Sequence, residues 1–120
     1  MSDALAAESA APADPEDQKL ITLARAALAR TGARQGASLR DSTGRAYAAT
    51  SVELDHLKLS AIAVVVAMAV SAGADIVEAV AVVGDAPSNN DLEVLRDLQG
   101  SNVTIWSADI QGNAFQASQL

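Results

Sequence analysis

The chain has 120 residues, half of them hydrophobic, a net charge of −7 and no cysteine. That length fits one domain, and the missing thiols exclude disulfides, thiolate metal sites and cysteine nucleophiles. With Tyr47, Trp106 and Phe115 as the only aromatics, the core must be closely packed Ala, Val, Leu and Ile.

The first 17 residues hold Asp3, Glu8, Asp14, Glu16 and Asp17 but no Lys or Arg, so the remainder carries only −2. A nucleic-acid surface needs clustered Lys and Arg to displace counterions, so no nucleic-acid partner is expected. Residues 1–13 are Ala-rich and acidic with no periodic apolar face, and read as a mobile tail ahead of a domain at 14–120. They lack the basic start and apolar stretch of a secretory signal, which together with the absent cysteine gives a cytoplasmic expectation.

Asp14-Pro15-Glu16-Asp17 opens a helix, with Asp14 as N-cap, Pro15 at the first helical position and acids at the positive dipole end. Leu20, Ile21, Ala24, Ala27 and Leu28 follow at helical spacing, Lys19, Arg25 and Arg30 avoid that face, and Gly32 stops the helix. Residues 35–40 and 45–52 are alternating runs around Asp41-Ser42-Thr43-Gly44, a hairpin turn in which Gly44 supplies the positive φ.

A second helix is expected from Asp55 or Ser60 to Ser71, ended by Gly73. It lies in the sixteen uncharged residues 59–74. A membrane span needs ~20 predominantly apolar residues, and this Ala-rich run is shorter, with no aromatic belt or basic flank. It reads as a buried helix, and no membrane partner is expected. Residues 77–85 are apolar on both faces, Ala79, Ala81 and Val83 alternating with Val80 and Val82, as in a strand covered on both sides. Ser88, Asn89, Asn90 and Asp91 supply caps for a third helix, Leu92, Leu95 and Leu98 share its inner face, and Gly100 stops it. Residues 102–109 form another strand, and a short last one passes through Phe115. This order predicts an α/β fold, a three-layer α/β/α sandwich with a mixed sheet.

Three stretches, GASLRDSTGRAYAATSVE (36–53), SAIAVVVAMAVSAGADIVEAVAVVGD (60–85) and APSNNDLEVL (86–95), together with the first helix, resemble the small cytidine deaminase family. They correspond to its glycine-alanine first strand, a second strand ending in Asn-x-Glu-Asn, a central helix opened by Cys-Ala-Glu, and a third helix opened by Pro-Cys-Gly-x-Cys. The resemblance implies a cytidine-deaminase-like fold and a homo-oligomer, a dimer or tetramer. In that family a Zn²⁺, held by Cys or His in the first motif and two Cys in the second, activates a water while the motif Glu shuttles its proton. Here the ligand positions hold Ser60, Ser88 and Asp91, and the shuttle position holds Ile62, which carries no proton at any pH. Serine hydroxyls are poor zinc ligands, and one Asp does not hold a catalytic site alone. No catalytic residue, metal or cofactor is therefore expected.

Of Asn-x-Glu-Asn only Glu53 remains, with Ser51 and Leu54 in place of the asparagines, so Glu53 and Ser51 are the candidate contacts for a nucleoside-like ligand. The family's Phe-x-Val-Gly-Ala becomes Ala33-Arg34-Gln35-Gly36-Ala37, and the loop from Ser51 to Ser60 is two residues shorter than the family's; the resemblance then implies a reshaped or closed pocket.

Each candidate has a plainer reading. His56 has no second His or Cys to share a metal with, and is expected at the surface. Glu53 has an alternative as a strand-end acid beside Lys58. Ser60, Ser88, Asn89, Asn90 and Asp91 are explained as caps at two helix starts, and Asp75, Asp85 and Asp109 as loop-end acids. In the central helix Val64, Val65, Val66, Met68 and Val70 cover more of the circumference than one sheet buries, which marks Ala63, Ala67 and Met68 as candidate oligomer-interface residues.

The sequence reading is thus a catalytically silent, zinc-free, cytidine-deaminase-like protein, a pseudoenzyme working as an oligomeric binding or interaction protein. The alternative is a nucleoside- or nucleotide-binding module that keeps the pocket. Last comes an enzyme with different chemistry around Asp91, Glu53 and His56, or with residual cytidine deaminase activity. An open polar cavity beneath Glu53, between Ser60 and Ser88, favours the binding module; side chains filling it favour an interaction protein.

Overall fold

Strand β5 (Val77–Gly84) has small and β-branched side chains on both faces and so requires cover on both. In the computed structural model, which describes residues 11–98, 100 and 102–120, it is the middle of a five-stranded sheet. The other strands are β1 (Gln35–Asp41), β2 (Ala46–Thr50), β6 (Thr104–Ala108) and β7 (Ala114–Gln119), in the order β2-β1-β5-β6-β7. β5 pairs antiparallel with β1 and parallel with β6, while β2 and β7 close the two sides antiparallel. The sheet is mixed.

Helix α1 (Pro15–Thr31) covers one face. Asp14 Oδ1 accepts from the Glu16 N–H at 2.9 Å, Pro15 occupies the first turn, and Gly32 at φ 67° ends the helix. Its buried residues are Leu20, Ile21, Ala24, Ala27 and Leu28, and this face meets Ala79, Ala81, Val83 and Ala108. Close approach is possible because β1 offers Gly36: a Cβ there would run into the Ala24 carbonyl oxygen. Ser38, fully buried, donates its hydroxyl to the Leu20 carbonyl at 2.6 Å. Trp106 Nε1 donates to Asp17 Oδ2 at 3.1 Å, and Arg40 Nη1 lies 3.0 Å from Asp17 Oδ1 in an ion pair without hydrogen-bond alignment.

Helices α2 (Ala61–Ser71) and α3 (Asn89–Arg96) cover the opposite face. Ala61, Ile62, Val65, Val66 and Ala69 of α2 and Leu95 of α3 join Ala37, Leu39, Val80, Val82 and Ile105 in the larger apolar cluster. With α1 beyond the sheet, the architecture is the expected three-layer α/β/α sandwich.

One expectation is narrowed, from two possible helix starts to one, and another is borne out. The second helix starts after Ser60 and not at Asp55, because Ser60 caps it and residues 52–59 turn back on themselves. There β3 (Val52–Glu53) and β4 (Lys58–Leu59) form a two-stranded ribbon closed by a 2.9 Å bond from the Leu54 N–H to the Leu57 carbonyl. The expected short last strand through Phe115 is β7, an edge member of the sheet. The expected tail falls partly on residues 1–10, which lie outside the described residues; at 11–13, Pro12 is buried and its carbonyl accepts from Gln18 Nε2 at 2.8 Å.

The β1–β2 turn is organised by Asp41, which is 3% exposed. Its Oδ1 accepts from Thr43 Oγ1 at 2.7 Å and from the Thr43 and Arg45 N–H groups at 3.0 Å each. Burial alone would raise the Asp41 pKa, but these bonds and a weaker one from the Tyr47 hydroxyl outweigh it and hold the pKa below the usual carboxylate value. A group with a depressed folded-state pKa stabilises the fold fully above its unfolded pKa, and that contribution is lost as pH falls through the folded value. Denaturation free energies followed from neutral pH to below the ordinary carboxylate pKa of about 3.9 are expected to fall, and to fall less steeply in Asp41→Asn. Equal slopes in the two proteins would refute this.

Candidate functional site

β1 begins where β5 ends, Gln35 pairing with Gly84, and the N-termini of α2 and α3 point into the same region. Gln35, 5% exposed, anchors it. Its Oε1 accepts the Ala61 N–H at 2.9 Å, and its Nε2 donates to the Asp85 and Ala86 carbonyls at 2.9 and 3.4 Å. One amide thus holds β1, the start of α2 and the loop from β5 to α3 together.

Asp91 does the same for the two helices. It is 3% exposed, and its Oδ1 accepts the Ser60 hydroxyl at 2.6 Å while its Oδ2 accepts the Ser88 N–H at 2.9 Å. The Asp91 N–H in turn donates to Ser88 Oγ at 3.1 Å, completing a capping box, and the Ala63 N–H donates to Ser60 Oγ at 3.0 Å. Ser60, Ser88 and Asp91 therefore meet, as their alignment with the family's ligand positions requires, but they bond to one another.

Above this floor lies an open cleft of about 470 Å³, walled by Ser51, Val52, Glu53, Lys58 and Leu59 from the ribbon and by Arg34, Asp85 and Ala86 opposite. Arg34 Nε and Asp85 Oδ2 form an exposed ion pair 3.2 Å apart at the rim. Glu53 stands opposite Lys58 in the ribbon register, is exposed, and makes no ion pair among the described residues. Ile62 is fully buried in the core and does not line the cleft. His56 is exposed at the ribbon turn. Asp91, Glu53 and His56 share no hydrogen bond among the described residues, so no nucleophile, base and orienting group come together there. Asn89 and Asn90 are exposed in the first turn of α3. Of the proposed interface residues, Ala63 is half-buried and Ala67 and Met68 are exposed.

The donor set does not fit zinc. Two hydroxyls and one carboxylate are hard, weak ligands already engaged with each other, and among the described residues no three His, Cys, Asp or Glu side chains are placed to hold a metal ion. No helix among those residues is long and apolar enough to cross a membrane. The residue that sequence reasoning missed is Gln35. Its signal was a polar amide at the position where the family carries Val.

The fold and the two helix starts facing one cleft define an α/β/α protein of the deaminase type, and comparison with known proteins agrees. The family described as "Cytidine deaminase-like" matches residues 13–112, and the chain belongs to that family. Among solved structures, cytidine deaminase from Burkholderia pseudomallei is 23% identical with a TM-score of 0.74, covering 84% of this chain and 90% of that one. Cytidine deaminase from Mycobacterium tuberculosis is 27% identical with a TM-score of 0.67, covering 77% and 85%; the Mycobacterium leprae protein is 20% identical with a TM-score of 0.69, covering 87% and 94%. No curated protein matches the chain.

Asp91→Ala strands the Ser60 hydroxyl and the Ser88 N–H, and is expected to lower unfolding free energy by about 1–3 kcal/mol. Adding Ser60→Ala should cost less than Ser60→Ala alone, since the two share a bond. Additive losses in urea denaturation would contradict the network.

Proposed function

We propose that this chain is a catalytically silent, zinc-free member of its family that holds a small nucleoside-like ligand in the cleft beside Glu53 and Ser51 and assembles as a homo-oligomer. The carrying observation is the closed bonding of Ser60, Ser88 and Asp91. It supplies each helix N-terminus with a partner, leaves no soft ligand, and has no proton carrier at Ile62. The cleft above it is open and polar along Glu53 and Ser51, which favours ligand holding over a filled pocket serving interaction alone. The names of the structural neighbours support a nucleoside as the ligand class. We place the protein in the cytoplasm, where a chain without cysteine forgoes no disulfide.

Elemental analysis after dialysis against chelator is expected to give far less than one zinc per chain, with no conversion of cytidine or deoxycytidine. Calorimetric titration with cytidine should show saturable binding that Glu53→Ala weakens. A zinc content near one per chain, or turnover by the purified protein, would overturn the silent reading; no binding of cytidine or its monophosphate would overturn the ligand.

Assembly through α2 rests on its outer face. No residue of α2 is charged, Met68 is 42% and Val70 50% exposed, and Ala63, Ala67 and Ser71 lie four apart between them. Large uncharged apolar patches on soluble chains mark contact surfaces. Ala67→Glu or Met68→Glu would bury an unpaired charge at such a seam, costing about 3–5 kcal/mol. Light scattering should then show a smaller mass than wild type; a wild type that stays monomeric at high concentration would reject assembly.

A further inference from the structure

A protein tells one nucleobase from another by hydrogen bonds to the base edge, made while flanking side chains hold the ring in place. The chain has three aromatic residues, and none lines the cleft of its own copy. Tyr47 packs beside the core under α2, with its hydroxyl 3.4 Å from Asp41 Oδ2. Trp106 packs against the α1 side of the sheet and donates to Asp17, and Phe115 lies on β7, the edge strand beyond β6. The apolar part of the lining is Val52, Leu59 and Ala86, small surfaces that give contact area without fixing the orientation of a ring.

The floor offers a base edge little more. Gln35 and Asp91 are buried, and each is already bonded at both of its polar atoms, Gln35 to the Ala61, Asp85 and Ala86 backbone and Asp91 to Ser60 and Ser88. The ribbon wall is different. The side chains of Ser51, Glu53 and Lys58 make no hydrogen bond or ion pair among the described residues, and Glu53 stands opposite Lys58 in the register. A carboxylate that only accepts, beside an ammonium that only donates, suits neighbouring hydroxyls, each of which does both. Neighbouring hydroxyls are what all ribonucleosides share, whatever base they carry. At about 470 Å³ and open to solvent, the cleft has room for a purine as well as a pyrimidine.

We propose that the cleft takes ribonucleosides as a class, held through their sugar hydroxyls at Glu53 and Lys58, and does not select the base. This rests on the ligand-holding reading above, and the outcomes separate the two. Calorimetric titration of the wild type with cytidine, uridine, adenosine and inosine is expected to give dissociation constants within about tenfold of one another. 2′,3′-Dideoxycytidine, which leaves the charged wall groups unpaired, should bind more than about tenfold more weakly than cytidine. Glu53→Ala should weaken all four ribonucleosides by one common factor and erase the difference between cytidine and its dideoxy analogue, with an unchanged far-UV spectrum. Saturable binding of cytidine, with any of the other three ribonucleosides outside that tenfold range, would overturn base indifference and leave ligand holding intact. So would a Glu53→Ala loss confined to some bases. Dideoxycytidine binding as tightly as cytidine would overturn the sugar contact, and no binding of any ribonucleoside would overturn both readings together.

Discussion

One buried carboxylate fixes the geometry on which the cleft depends. Asp91 receives a hydroxyl from the start of α2 and an N–H from the residue that caps its own helix, so two helix ends that each bring unsatisfied N–H groups are held against each other. Asp91 is 3% exposed, so little water competes for these bonds. Gln35 extends the tie to β1 and to the β5–α3 loop. A metal bound at such a point cross-links the same segments; here the cross-link is made of side chains that any aqueous compartment leaves intact.

The sheet places that tie. β5 is buried on both faces, so it must lie between helix layers, and its antiparallel pairing with β1 brings the start of one strand beside the end of the other. The chain leaves β5 at Gly84, whose φ of 92° lets it turn where the Arg34 carbonyl leaves no room for a side chain, and it reaches Ser88, the N-cap of α3, four residues later. The cleft is the gap between this turn and the β3–β4 ribbon, which pairs with itself and not with the five-stranded sheet.

What was legible in the sequence is what local chemistry decides. The Asp14-Pro15 start, the five inward residues of α1, the two-faced burial of β5 and the caps at Ser60 and Ser88 depend on neighbours within a few positions. The bond between Ser60 and Asp91 joins residues 31 apart, and that between Gln35 and Ala61 joins residues 26 apart. No local pattern encodes either. Alignment with the family's ligand positions indicated that Ser60, Ser88 and Asp91 meet, but not that they would bond each other and leave nothing for an ion. The ribbon was missed for a related reason. Leu54, Leu57 and Leu59 carry apolar character into a segment that is exposed, so its periodicity resembles the start of the helix that follows.

Exposed apolar residues on a chain of strong net charge are not distributed evenly. Met68 and Val70 stand on the uncharged outer face of α2, and Phe115 and Ile110 at the uncharged sheet edge, while the ion pairs Lys19–Glu16, Arg34–Asp85 and Arg96–Glu93 sit elsewhere on the surface. Such exposed pairs add little stability, but they keep those areas hydrated. The two uncharged areas carry no ion pair among the described residues, and on α2 the small residues Ala63, Ala67 and Ser71 stand four apart. The residues at the family's ligand positions and these uncharged areas lie on different parts of the chain: the first at the starts of α2 and α3, the second on the outer turns of α2 and along β7. A substitution on either area therefore leaves untouched the hydrogen bonds that tie Ser60, Ser88 and Asp91 to one another.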